Sequence, residues 1–373
     1  GYVLISFLSW LILRFLVLRR LPCGRPARTV LSCLFFLPIL YYAYLQASCF
    51  IVLPEPSFGT AILMGAWCGT VLIAAPPASA GVLCLMRFGR KKSMRRVGAG
   101  ACLIFSLFFS SVLVLCGLRE GLSVPSVQEV SVNLPAGCDA LDGIRMAVIS
   151  DLHLGCATPP GWLEETLRRI KEARADIILL DGDLSDGRPE DRRSDLARLG
   201  TLEAPFGVWA VPGNHEYYVD YAGIMAALPD SVHVLANSHA RAENLLGTFV
   251  LAGVMDRKAR ARGLPGPDIE KALSGLSGDG AIGPVLLMSH RPAGWSRNAA
   301  RGVVLQICGH THGGQFIWNR LFLRLIGRRY LHGLFERNSS LLWVGSGASQ
   351  WFGFPLRVGV PPEIAVLNLH AGS

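Results

Sequence analysis

The chain has 373 residues, 51% of them hydrophobic, an apolar share that points to membrane segments. Its formal net charge of +9 is unevenly placed: residues 1–120 hold 12 Lys/Arg against Glu55 and Glu120, leaving 24 basic and 25 acidic residues downstream. That near-neutral remainder offers no broad basic surface, so no nucleic-acid partner is expected.

Four apolar stretches open the chain, at 3–18, 31–53, 58–86 and 97–118. A bilayer span needs about 20 apolar residues. The last three qualify, whereas the first is short and interrupted by Arg14. A start at Gly1 rather than methionine fits a longer product whose first span is cut. Arg19, Arg20, Arg25 and Arg28 lie between the first two stretches, and Arg87, Arg90, Lys91, Lys92, Arg95 and Arg96 between the last two. Basic loops stay cytoplasmic, so the expectation is a multi-pass protein of the cell membrane that delivers everything after Arg119 to the outer side. Its first partner is the lipid bilayer. Seven of the ten cysteines lie in this third, and Cys138, Cys156 and Cys308 downstream show no CxxC spacing. Neither a disulfide framework nor a zinc ribbon is supported.

Residues 121–130, with Pro125, read as a linker. The alternation of Glu129–Leu134 then reads as a strand entering a second domain, placed at 131–373. Apolar strands follow at Ile144–Ser150, Asp176–Leu180, Gly207–Val211, Pro284–Met288 and Val303–Cys308. Helical spacing appears at Gly161–Arg174 and again, in a shorter stretch, at Asp195–Leu202. Strand–helix alternation argues α/β, and the strand-rich stretch after residue 230 argues a second sheet packed on the first.

Each of the five strands ends in a polar loop: Asp151–Leu152–His153, Gly182–Asp183 through Asp186, Gly213–Asn214–His215–Glu216, Ser289–His290–Arg291, and Gly309–His310–Thr311–His312–Gly313. Loops at the carboxyl ends of strands in an α/β sheet converge on one crevice. Taken singly, each loop reads equally well as a turn or a helix cap. Five strand ends that each supply an oxygen or nitrogen donor argue a metal site. Mixed imidazole, carboxylate and amide donors without thiolate suit Mn²⁺, Fe or Zn²⁺ in an open rather than a structural site.

In order and spacing, DLHLG, GDLSDG, GNHE, SHRP and GHTHGGQ resemble the calcineurin-like metallophosphoesterase superfamily. The GHTHGGQ ending, with Pro355–Leu356–Arg357 and Pro361–Pro362–Glu363–Ile364, resembles its membrane-associated bacterial branch typified by YkuE and YaeI. The resemblance covers about residues 130–370. It implies a four-layer α/β/β/α sandwich of two mixed sheets, carried behind an α-helical transmembrane region. It also implies two divalent metal ions, Mn²⁺ first and Zn²⁺ or Fe as alternatives. Asp151, His153 and His312 would hold one ion, Asn214, His290 and His310 the other, and Asp183 would bridge them. In the family a water activated between two such cations attacks the phosphoryl group. The family assigns protonation of the leaving alkoxide to the position of His215, oriented by that of Asp186.

These expectations make the protein an enzyme, a membrane-anchored phosphohydrolase acting on a phospholipid or other membrane-proximal phosphoester. Arg291 is a candidate contact for substrate phosphate. The stretch Trp318–Tyr330 mixes large apolar residues with Arg320, Arg324, Arg328 and Arg329, as interfacial segments do, and puts Trp318 and Phe322 forward as lipid contacts. The bland reading of that stretch is a half-buried hairpin or helix. Two alternatives for the whole chain are a nucleotide-sugar-lipid pyrophosphatase of UDP-diacylglucosamine type, which needs the opposite orientation, and a non-catalytic metal-binding sensor. A transporter would place paired ionisable residues inside the spans, and only Arg14 is there. Nothing in the sequence sets an oligomeric state.

Overall fold

A computed structural model describes residues 2–50, 54–89, 91–276, 283–337, 339–350 and 354–372. Residues 51–53 of the second expected span, and Arg90 of the second basic loop, lie outside that set. The chain forms two compact units, Gly1–Glu120 with Gly353–Leu356, and Gly121–Phe352 with Arg357–Ser373.

The first unit holds α1 (Tyr2–Ile12), α2 (Arg25–Phe50), α3 (Phe58–Phe88) and α4 (Lys92–Gly121). Three of the described helices are long and apolar enough to cross a membrane: residues Arg25–Leu45 of α2, α3 and α4. The expected spans 31–53, 58–86 and 97–118 fall on these helices. The expected span 3–18 does not form one α-helix of that length. After α1 it continues as a π-turn at Leu13–Val17 and a 3₁₀ turn at Leu18–Arg20. Pro76 and Pro77 lie inside α3, as prolines do in membrane-spanning helices more often than in soluble ones.

The second unit opens with β1 (Ser126–Ala136), β2 (Arg145–Ile149), β3 (Ile177–Asp181), β4 (Val208–Val211) and β5 (Val232–Val234). A second group follows: β6 (Ser238–Asn244), β7 (Gly247–Gly253), β8 (Val285–Met288), β9 (Val303–Cys308), β10 (Gly333–Arg337) and β11 (Ser340–Val344). The final strand, β12 (Glu363–Gly372), returns to the first group. The two six-stranded sheets run β1-β12-β2-β3-β4-β5 and β10-β11-β9-β8-β7-β6. Both are mixed, with β2 to β5 parallel, β12 antiparallel to β2, and β6 and β10 antiparallel edges on a parallel β7-β8-β9-β11 centre.

The uninterrupted apolar runs are explained by burial on both faces. Along β2, Met146 and Val148 face the other sheet, while Ala147 and Ile149 face helices; β3 splits Ile177 and Leu179 from Ile178 and Leu180 in the same way. Between the sheets these residues meet Leu251, Leu286, Leu305, Ile307 and Trp343. The outer face of the first sheet is covered by α5 (Trp162–Glu172), whose Trp162, Leu163, Leu167 and Ile170 form one buried stripe, together with α6 (Pro189–Arg198) and α7 (Tyr221–Ala226). Ile269 and Ala272 of α8 (Ile269–Ala272) cover the outer face of the second sheet, and α9 (Trp295–Ala299) packs Trp295 on Val344 and Cys308. The result is the expected four-layer α/β/β/α sandwich.

Two boundaries differ from the sequence reading. β1 begins at Ser126, inside the expected linker, because its pairing with β12 already starts at Ser126 opposite Glu363. The helix expected at 195–202 begins at Pro189, a residue suited to the first helical turn, and gives way to a 3₁₀ turn at Leu199–Thr201.

Candidate metal centre

The chemistry-bearing residues follow the carboxyl ends of β2, β3, β4, β8 and β9. Five of them, Asp151, His153, Asp183, His310 and His312, have left-handed backbone, with φ between 42° and 66°. Such conformations cost about 1–3 kcal/mol for a non-glycine residue and persist only where the surroundings over-determine them. The loops also approach one another closely. A Cβ on Gly213 would collide with the Asp183 carboxylate, and one on Gly309 with that of Asp151.

The first donor set draws on the loops after β2 and β9. Asp151, His153 and His312 bring their ligand atoms together, all buried. His153 Nε2 lies 3.2 Å from His312 Nε2, and Asp151 Oδ1 is 3.8 Å and 3.3 Å from those two nitrogens. Backbone and side chains fix the ring orientations. His312 Nδ1 donates to the Ser349 carbonyl at 3.2 Å, and His153 Nδ1 donates to Asp186 Oδ1 at 3.2 Å. Arg357, fully buried, donates to the carbonyls of Ser346, Ser349 and Val360 and so braces the segment that holds His312.

In the second set Asp183, His290 and His310 are grouped. Asp183 Oδ2 is 3.1 Å from His290 Nε2 and 3.7 Å from His153 Nε2, so this one oxygen faces both sets. His290 Nδ1 donates to the Asp181 carbonyl at 2.8 Å, whereas its Nε2 is buried without an aligned hydrogen-bond partner. An imidazole nitrogen and a carboxylate oxygen facing each other at 3.1 Å fit a cation site. Asn214 Oδ1 and His310 Nε2, the other two expected ligands, face the Arg291 guanidinium at 2.7 Å and 2.5 Å. Arg291 Nε in turn donates to Asp256 Oδ2 at 2.5 Å. The second set thus already addresses a cation, supplied by the chain itself.

Charge in the crevice is arranged for cations. Burial opposes charge on every group here. Against it, Asp186, Asp183 and Asp151 raise His153 to about 9, and Asp183 holds His290 well above the ordinary imidazole value. Burial, then the neighbouring His290 and Arg291 charges, pushes His310 down to about 2. Burial, His153 and Arg357 likewise keep His312 neutral. His310 and His312 therefore present lone pairs. Asp183 is held well below the carboxylate range by His290 and His215 despite its burial. The proton that His153 shares with His312 sits among nitrogen and carboxylate donors, and a divalent cation suits the same place.

His215 stands beside the donors rather than among them. Its Nδ1 is 2.5 Å from Asp186 Oδ1, and its Nε2 lies 3.9 Å from Asp183 Oδ2. Asp186 therefore holds two imidazoles at once, those of His153 and His215. Trp318 and Phe322 are not brought to this crevice. They lie on α10 (Ile317–Leu325), an exposed helix with no buried residue.

Sequence reading left Glu216 without a role, although its place in the Gly213–Glu216 motif marked it. Its buried carboxylate accepts from the backbone N–H groups of Gly213 at 2.7 Å, Leu184 at 2.7 Å and Asp183 at 3.1 Å. It ties the loop after β3 to the loop after β4, and so fixes Asp183 relative to Asn214.

A thiolate-free crevice of carboxylate, imidazole and amide donors, lying beside an oriented histidine, defines the class: metal-dependent hydrolases of phosphoester bonds. A family profile described as calcineurin-like phosphoesterase matches residues 144–314. A metallophosphoesterase of Helicobacter pylori is 34% identical over 68% of this chain and 66% of its own length. A zebrafish (Danio rerio) transmembrane protein with metallophosphoesterase domain is 29% identical over 77% and 68%, and the Bacillus subtilis metallophosphoesterase YkuE is 28% identical over 62% and 80%. The chain belongs to the calcineurin-like metallophosphoesterase family. Its match spans about two thirds of the length of the Helicobacter and zebrafish relatives.

Replacing Glu216 by Ala leaves three buried N–H groups unpaired, and the loss should be about 2–4 kcal/mol. Thermal unfolding of the detergent-solubilised full chain, with metal analysis of the same preparation, should show a lowered midpoint and a lowered metal content.

Proposed function

We propose that this chain is a membrane-anchored, two-metal phosphohydrolase, with Asp151, His153 and His312 holding one divalent ion, Asn214, His290 and His310 the other, and Asp183 shared between them. The observation that carries this reading is the position of Asp183 Oδ2, which faces an imidazole of each set. When bound, the cations supply the Lewis acidity that activates water and neutralises phosphoryl charge. The chain supplies the rest. Asp186 accepts from Nδ1–H of His215 and so orients the ring, leaving Nε2 as the atom from which a proton would pass to the departing alkoxide. Arg291 reaches the same crevice on a side chain held by Asp256, and offers a fork to a phosphoryl oxygen.

The substrate we infer is a phospholipid or another phosphoester confined near the bilayer. Three candidate spans anchor the chain, and α10 carries exposed Trp318, Leu321, Phe322 and Leu325 alongside Arg320 and Arg324. The basic loops of the first unit support an extracytoplasmic catalytic unit, and a topology reporter at the carboxyl end tests this.

Turnover of bis-p-nitrophenyl phosphate by Mn²⁺-loaded full chain tests the reaction. His215→Ala should lower kcat by about 10²–10⁴ with metal content retained. Asp183→Asn should lose metal and activity together, since a neutral amide cannot balance two cations. An Asp183→Asn protein that kept both would sink the shared-ligand assignment. Replacing Trp318, Phe322 and Leu325 by Ser should lower turnover of vesicle lipid relative to the soluble diester by about tenfold or more. Equal loss on both substrates would remove α10 from lipid recognition.

A further inference from the structure

Next to the donor crevice, a cavity of about 470 Å³ opens between the His310–Thr311 loop and the chain that follows α10. That volume lies within the range of small-molecule sites. Its basic lining comes from three separate stretches: Arg257 after β7, Arg291 after β8, and Arg328 with Arg329 after α10. Among the described residues no Asp or Glu lines it, and Leu323 and Tyr330 give it an apolar wall. Arg291 is committed to Asp256, Asn214 and His310. Arg257, Arg328 and Arg329 are exposed and have no ion pair or side-chain hydrogen bond among the described residues.

Unbalanced like charges around one concavity repel, and their field attracts a compact polyanion. The scissile phosphoester does not need them. A scissile diester would carry one negative charge, which bound cations and Arg291 would answer. Arginine forks match phosphoryl oxygens, and Arg291 and His310 border both the cavity and the donor crevice, so a group seated here is a near neighbour of the reacting phosphorus. Building on the phosphohydrolase reading, we propose that the substrate is a phosphoester bearing a second phosphoryl group. This group occupies the cavity between Arg257 and the Arg328–Arg329 pair, with its organic part against Leu323 and Tyr330. The second phosphoryl group belongs either to a lipid headgroup or to a soluble compound of the same chemistry.

Calorimetry on the Mn²⁺-loaded full chain in detergent tests this with two probes, propylphosphonate and trimethylene bisphosphonate. The bisphosphonate should bind about 30-fold more tightly, the gain expected of one or two charged hydrogen bonds. Arg328→Gln/Arg329→Gln, two surface changes, should reduce that preference to about threefold, with the monophosphonate Kd of the same sample as internal reference. No preference in the wild-type chain, or an undiminished preference in the double variant, overturns the proposal. Displacement of the bound bisphosphonate by methyl diphosphate assigns the second group to a soluble compound. Displacement only by diacylglycerol pyrophosphate in mixed micelles assigns it to a lipid, and displacement by neither overturns the proposal. Hydrolysis of bis-p-nitrophenyl phosphate by the same preparation keeps the two readings apart. Turnover without bisphosphonate preference removes the second phosphoryl group alone, whereas preference without turnover removes the hydrolase and leaves the anion cavity.

Discussion

Concentrating carboxylates in a dry crevice is unfavourable unless positive charge accompanies them, and this constraint shapes the second unit. Asp151, Asp183 and Asp186 are buried within a few ångströms of one another's partners, and imidazoles and a guanidinium stand beside them. His153 and His290 take up protons, Arg291 forks over the donors of the second set, and Glu216 is held by backbone N–H groups. Divalent cations would meet the same demand more compactly. The strained backbone of five donors shows how strongly the fold insists on this cluster, since nothing in local propensity favours left-handed aspartate and histidine at these positions.

The sheets make such insistence affordable. Both are buried on each face, and their central strands are parallel, so the loops at their carboxyl ends open toward one crevice. Side chains separated by some 160 positions, such as Asp151 and His312, meet there, each buried and next to a strand end. Glu216 and Arg357 then brace the loops from beneath, one through backbone N–H groups and the other through carbonyls.

Much of this was legible in the sequence because it is carried by short-range pattern. Apolar runs of four to six residues ending in Asp, Asn or His loops announce buried strands and place their polar ends together, which is how Asp151, Asp183, Asn214, His290 and His312 could be named before any coordinates. What the pattern hides is partnership across space. Arg291 reads as a contact for substrate phosphate, but nothing in the sequence places its guanidinium between Asn214 and His310. Arg257 and Arg328 lie 71 positions apart, and nothing in either neighbourhood joins them to one cavity. The stretch after the histidine pair shows mixed apolar and basic residues, but its helical form and the absence of any buried residue on it depend on what it does not pack against. The early start of β1 likewise depends on a strand more than 230 residues away.

That distant strand carries a further consequence. β12 lies between β1 and β2, hydrogen-bonded to both, so the first sheet has a gap at its second position until Glu363–Gly372 arrives. During synthesis, β2 to β5 and the loops bearing Asp151, Asp183 and Asn214 emerge long before that strand clears the ribosome. Two open sheet edges, on β1 and on β2, must therefore wait through the making of the whole second sheet. A nascent chain of this kind favours a chaperone that shields strand edges. Shortening it by the last ten described residues would remove an interior strand rather than trim a tail.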